Sequence, residues 1–257
     1  MTTTPFNVII PARYGASRFP GKPLAMLGNE PMIQHVHRRA VASGAQRVVV
    51  ATDDSRIEAA CTAFGAEVVR TTVAHPTGTD RLAEAVEHLD LPPEAIVVNL
   101  QGDEPLMPPA FLAWAAKCLE DDPAAAVATL AVPITSAEEL LDPAVVKVVC
   151  NALGHALYFS RAPIPWDRER FAPGEAEEAA VTAGGWLRHL GLYAYRVEFL
   201  KRYPRLQPAP PERLEALEQL RALWHGFVIQ VATVQQRPGS GVDTPEDLDR
   251  VAAQLGV

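Results

Sequence analysis

Runs rich in Val and Ile alternate along this chain with segments whose apolar residues recur every three or four positions. The first pattern predicts strands and the second helices, and their alternation marks a largely parallel α/β sheet. Strands are expected at Asn7–Ile10, Arg47–Thr52, Ala95–Gln101, Ala126–Val132, Val145–Asn151, His155–Ser160, Leu187–Tyr195 and Phe227–Val234. Met32, Ile33, Val36, Ala40 and Val41 read as one helical face, and further helices are expected at Asp54–Phe64, Asp80–Leu89 and Pro108–Leu119. The first ~100 residues thus read β-α-β-α-α-β, which right-handed crossovers turn into a Rossmann-like sheet.

The later strands are less regular, with a hairpin-like connection at Asn151–His155 and a long Ala-, Glu- and Gly-rich stretch at Ala172–Trp186. That stretch reads either as a mobile lid or as a tolerated surface insertion. The fold class expected is α/β, a Rossmann-like mixed, mostly parallel sheet flanked by helices with a smaller second lobe. It is one domain over residues 1–257, with a core at 1–130 and 226–257 and a lobe at about 131–225.

Composition narrows the partners. With 48% hydrophobic and 21% charged residues, the 257-residue chain can bury a proper core. A net charge of −8 argues against nucleic acid or an anionic membrane as the main partner, so any anion site must be a local basic pocket. Cys61, Cys118 and Cys150 are odd in number and lack metal-ligand spacing, which suits core positions in a reducing cytoplasm. Neither a signal peptide nor a bilayer-spanning run is visible, and a cytoplasmic location is expected.

Candidate chemistry begins directly after the first strand, in NVIIPARYGASRFPGKPL. Arg13, Gly15, Arg18, Gly21 and Lys22 follow one another before the next helix, as in a loop that holds phosphate. A Walker loop is excluded, because five residues separate Gly15 from Gly21 and Pro23 replaces the magnesium-binding hydroxyl. The dinucleotide motif G-x-G-x-x-G is absent too, which disfavours a nicotinamide dehydrogenase. Arginine forks still grip phosphate oxygens, lysine offers a point charge, and glycines let backbone amides approach. The alternative is a basic solvated turn. Its place at the carboxyl end of an α/β strand favours ligand binding.

With no hydroxyl in the loop, a magnesium ion needs carboxylates from elsewhere. Asp103 follows the apolar run AIVVNLQG, and Asp243 follows PGSG. Asp103 also reads as an ordinary turn residue. Asp243 precedes Thr244-Pro245-Glu246-Asp247, a capping-box start in which Thr244 already supplies the cap and leaves Asp243 for metal. In HPTGTDRLAEAV, Thr77, Gly78 and Thr79 precede a helix, and Thr79 or Asp80 would serve as its cap. Arg81 in the first turn opposes the helix dipole, which points to an anion or base partner. In RHLGLYAY, alternation places His189, Gly191, Tyr193 and Tyr195 on one face, with Leu190, Leu192 and Ala194 on the apolar one. In ERLEALEQLRALW the apolar face is Leu214, Leu217, Leu220 and Trp224. Glu215, Glu218 and Gln219 lie off it, as a solvated face or as acceptors of sugar hydroxyls.

PARYGASRFPGKPL resembles the nucleotide-binding signature of the sugar nucleotidyltransferases, in particular of the cytidylyltransferases that activate 3-deoxy-D-manno-octulosonate (Kdo). TGTDRLAEAV, VNLQGDEP, ATLAVPI, VKVV, ALYFSRAPIPWDR, LRHLGLYAYR, LEQLRALW and GVDTPEDLDRV extend the resemblance, in this order and spacing, over almost the whole chain. The resemblance implies a nucleotide-diphospho-sugar transferase type of fold and transfer of CMP from CTP to the anomeric hydroxyl of Kdo, for lipopolysaccharide biosynthesis. Magnesium would sit on Asp103 and Asp243, and the enzyme would be a homodimer through its second lobe. Arg13, Arg18 and Lys22 would hold the triphosphate and complete the catalytic set. Thr77, Gly78, Arg81 and Gln101 would lie beside the nucleotide, with Gln101 in reach of either substrate. Arg161 would take the sugar carboxylate, and His189, Tyr193, Glu215, Glu218 and Gln219 its hydroxyls. The alternatives are a cytidylyltransferase for a related acid such as 8-amino-Kdo or neuraminate, and a non-catalytic nucleotide-binding relative.

Overall fold

The structure is a computed structural model that describes residues 4–15, 19–72, 75, 77–171, 176 and 178–257. Arg18 and residues 172–175 and 177 of the lid-or-insertion stretch lie outside the described residues. In chain order the elements are β1 (Asn7–Ala12), β2 (Met26–Leu27), β3 (Glu30–Pro31), α1 (Met32–Ala42), β4 (Arg47–Thr52), α2 (Ser55–Ala63), β5 (Glu67–Arg70), α3 (Gly78–His88), β6 (Ile96–Asn99) and α4 (Pro109–Asp121). There follow β7 (Ala125–Pro133), α5 (Ala137–Leu141), β8 (Lys147–Cys150), β9 (Ala156–Ser160), α6 (Glu178–Thr182), β10 (Leu187–Arg196) and α7 (Val197–Arg202). The chain ends with α8 (Pro210–Glu215), α9 (Gln219–Trp224), β11 (Val228–Thr233) and α10 (Pro245–Leu255).

Two compact units emerge. The first comprises Met1–Glu120, Leu192–Pro204 and Pro238–Val257. At its centre β1 runs parallel to β4 and β6, and β4 to β5, while the end of β10 pairs antiparallel to β6. Val8, Ile9 and Ile10 are wholly buried, as a parallel strand covered on both faces requires. Strand β5 is absent from the expected β-α-β-α-α-β order; apart from the two-residue strands β2 and β3, the order is β-α-β-α-β-α-β. Its two valines lie between Glu67 and Arg70, too short an apolar run to stand out. In α1, Met32, Ile33, Val36 and Ala40 are buried, but Val41 is exposed. Nine residues at 100° each carry Val41 half a turn away from Met32.

The second unit comprises Asp121–Gly191 and Arg205–Arg237. Strands β7 and β11 pair in parallel, β8 and β9 antiparallel, and the start of β10 joins β8. The β7–β11 pairing draws 121–130 and 226–237 into this unit, and 192–204, whose strand residues pair with β6, fall in the first, so the bounds differ from the expected 131–225. The described part of the Ala172–Trp186 stretch contains α6. Ala180, Val181 and Trp186 pack there with Ile134, Leu140 and Phe171. The single helix read from ERLEALEQLRALW is in fact two, because Ala216 takes a left-handed conformation at φ 52°. The kink buries Leu217 and Leu220 while leaving Leu214 (88%) and Trp224 exposed, so the four-residue apolar face does not exist.

Candidate active site

In the first unit one ammonium gathers the candidate chemistry. Lys22 Nζ donates to Asp103 Oδ2 at 2.5 Å, to the Val242 carbonyl at 2.8 Å and to Asp243 Oδ1 at 3.4 Å. Three stretches 81 and 140 residues apart along the chain (22 to 103, 103 to 243) therefore meet at one atom. Lys22 is placed by the turn before it. Gly21 sits at φ 74° and donates its amide to the Tyr14 carbonyl at 2.7 Å, closing the loop on itself. A Cβ there would be strained and would press on the Tyr14 ring at 3.1 Å. The Arg56 guanidinium, paired with Asp54, caps that ring 3.2 Å from its centroid.

The two carboxylates are fixed by backbone. Asp103 lies in the turn after β6, where the Glu104 amide donates to the Gln101 carbonyl at 3.2 Å. The Asp103 carbonyl accepts from the Val242 amide at 2.9 Å, and Gly241 lies so close that a Cβ would stand 2.9 Å from Glu104 Oε1. The tight path expected of PGSG is thus required by packing against the Asp103 turn. Thr244 caps α10 in a reciprocal box with Asp247, whose carboxylate also accepts the Asp243 amide at 2.9 Å. That bond and Arg250 hold the Asp247 carboxyl at about 2. The Asp243 side chain is no part of the cap.

Arg81 is 1% exposed, with Nη2 2.9 Å from Asp53 Oδ1 and Nη1 donating to Thr71. Burial pulls its pKa down, the Asp53 carboxylate pulls it up, and the neighbouring Arg13 charge pulls it down again. The anion that its awkward helical position calls for is the protein's own Asp53. Asp53 and Thr71 were not among the expected site residues, although Asp53 stands at the carboxyl end of β4, where such sheets bind ligands. The cap of α3 is Thr77, which accepts from the Asp80 amide at 3.2 Å; neither Thr79 nor Asp80 serves. Tyr193 is half-buried in this unit, opposite Asn99 of β6 and stacked on Tyr195 at 5.7 Å.

The second unit holds the remaining candidates. Glu215 accepts from Ser160 Oγ at 2.6 Å and from the Arg161 amide at 2.9 Å. Arg161 Nε donates to the Glu215 carbonyl at 2.7 Å and Nη1 to the Pro143 carbonyl at 3.0 Å. His189 lies edge-on to Phe159 at 5.0 Å, with Nε2 3.0 Å from Thr129 Oγ1. Thr129 spends its one proton on the Leu190 carbonyl, so Nε2 is the protonated nitrogen of a neutral ring. Burial pushes the His189 pKa down to about 3. Held neutral, His189 offers hydrogen bonds and no charge. Glu218 and Gln219, half-buried, flank the start of α9. Ser160 and Thr129 supply the bonds that sequence did not foresee; a hydroxyl inside a strand carries no pattern of its own.

The fold and these clusters define a nucleotidyltransferase, and the chain belongs to the cytidylyltransferase family, whose sequence pattern it matches over residues 7–232. It is 68% identical to the 3-deoxy-manno-octulosonate cytidylyltransferase of Halorhodospira halophila, over 99% of this chain and 98% of that one. The enzyme of the same name from Alkalilimnicola ehrlichii is 60% identical over 98% and 97%. A solved CMP:2-keto-3-deoxy-manno-octonic acid synthetase complexed with CTP superposes with a TM-score of 0.88 at 44% identity, covering 98% of both chains.

Proposed function

We propose that this chain transfers CMP from CTP to the anomeric hydroxyl of Kdo, releasing pyrophosphate, as a supply step for lipopolysaccharide in the cytoplasm. The observation that carries the reading is the meeting of Lys22, Asp103 and Asp243 at the carboxyl end of the central strands. The comparisons with enzymes of that activity support it.

The donor set fits a divalent ion. Asp103 and Asp243 are oxygen ligands, 32% and 51% exposed, and share a single ammonium, so the trio keeps one net negative charge. Two carboxylates that leave room for phosphate and water are what magnesium takes. Bound there, magnesium would neutralise phosphate charge and lower the pKa of a coordinated hydroxyl.

The protein's own residues do the rest by position and charge. All three Lys22 protons are committed to Asp103, Val242 and Asp243. To meet a phosphate oxygen, Lys22 must release an acceptor, and Asp243 at 3.4 Å is the one held least. Lys22 then faces the charge that grows on the α-phosphate as the sugar oxygen bonds to phosphorus and the bond to pyrophosphate breaks. Arg13 and Arg18 grip the triphosphate. Thr77 and Gly78 open α3 beside the nucleotide, and Arg81 supports them from within, anchored on Asp53. Gln101, in the same turn as Asp103, and Tyr193, opposite Asn99 of β6, offer hydrogen bonds to substrate. Arg161 takes the sugar carboxylate, and neutral His189, Glu215, Glu218 and Gln219 address hydroxyls. We assign a homodimer as the working form.

Pyrophosphate release with CTP, magnesium and a panel of Kdo, 8-amino-Kdo and neuraminate should be fastest with Kdo. Activity on none of the three would refute the reading. In the same assay Asp243→Asn should lose at least about a hundredfold in kcat with an unchanged melting temperature, and a fully active variant would take Asp243 out of the site.

A further inference from the structure

Lys147 has no part in the chemistry above, yet its side chain is 0% exposed. Buried ammonium groups usually face a carboxylate. This one donates instead to three backbone carbonyls, those of Asp142 at 2.9 Å, Val145 at 2.6 Å and Arg161 at 2.6 Å. An ammonium has three protons and no acceptor, so nothing is left over for a substrate. Burial pulls the Lys147 pKa down, Asp142 and Glu215 oppose this, and Arg161 adds to it.

The three carbonyls belong to two separate segments, the turn after α5 and the residue that directly follows β9. Lys147 itself opens β8, so three pieces of chain are tied at one atom. Arg161 is gripped by Lys147, by the same turn and by the end of α8. Its carbonyl is on Lys147, its amide and Nε are on Glu215, and its Nη1 is on Pro143, which lies inside the turn that Lys147 gathers. Its Nη2 has no protein acceptor among the described residues. A guanidinium ordered before its ligand arrives loses little rotamer freedom on binding.

We infer that Lys147 is a positioning residue for Arg161: by pinning the Arg161 carbonyl and the 142–145 turn, it presets the guanidinium with Nη2 open to the sugar carboxylate. The inference rests on the assignment of that carboxylate to Arg161. It gives a role to the lysine of VKVV, which composition alone shows only as one of four lysines among nineteen arginines.

Lys147→Met keeps the length of the stem and removes every donor, and Lys147→Gln retains two. Separate KM values for Kdo and CTP, from pyrophosphate release, should split in both variants. The KM for Kdo should rise on the order of 10–100-fold in Lys147→Met and less in Lys147→Gln, with that for CTP within about twofold. An equal rise in both KM values, or a lowered melting temperature with an unchanged KM for Kdo, would overturn the inference. Wild-type protein inactive on every sugar acid would overturn the reaction itself, a result distinct from an active wild type whose variants keep their affinity for Kdo. Should neither variant fold, nitrogen-15 NMR of the wild type decides. An Arg161 Nε–H signal that is sharp and slow to exchange before Kdo is added sustains the proposal; one that appears only with Kdo refutes it.

Discussion

His189 shows how much one residue's surroundings decide its chemistry. The same imidazole would carry charge in an acidic medium, but burial holds it neutral down to a pH of about 3. Above pH ~6.5 neither folded nor unfolded chain binds a proton there, and the group has no effect on stability. Below that value the unfolded chain takes one up while the folded chain refuses it. Stability therefore falls as pH drops from ~6.5 towards 3, by up to about 1.4 kcal/mol per unit. His189→Gln, whose amide can still donate to Thr129, should lose about 2 kcal/mol less than wild type in urea unfolding between pH 7 and pH 5. Equal losses in the two proteins would contradict a buried, neutral histidine.

At the scale of elements, the helix pair α8–α9 is the clearest departure from what the hydrophobic pattern foretells. Leu214, Leu217, Leu220 and Trp224 have helical spacing, and nothing in ERLEALEQLRALW announces a break. The break is imposed by tertiary bonds. The buried pair Glu212–Arg221 joins the two helices across the kink, and Glu215 turns to serve Ser160 and Arg161. Ala216 bears the left-handed conformation between them. Ala216→Gly should raise stability by about 1 kcal/mol, or roughly 2–4 °C in Tm, since glycine meets no Cβ penalty there. A melting temperature unchanged or lowered would show that Ala216 is not strained.

Local signals elsewhere translated well. The Val- and Ile-rich strands, the Thr244-Pro245 start of α10 and the alternation of His189 to Tyr195 were all legible, because each depends on neighbours in sequence. Strand β5 was not, being short and marginal. The partners of Arg81 and Lys147 were also hidden, because Asp53, Thr71 and backbone carbonyls come together only through the fold. The carboxylates of the candidate site could be named from sequence, but their sharing of Lys22 could not.

For the molecule as a whole, that shared lysine has a consequence for the resting enzyme. Metal centres commonly loosen when stripped, because their ligands are left as apposed like charges. Here Lys22 already stands between Asp103 and Asp243. The free protein should accordingly show the same melting temperature in magnesium and in excess chelator, within about 1 °C. With CTP present, magnesium should raise it and chelator should reverse the gain. A fall in Tm on chelation of the free protein would mean that the carboxylates rely on metal to fold. In the proposed reaction the cation that meets phosphate would thus double as a built-in counter-ion, holding the two carboxylates together until substrate and metal arrive.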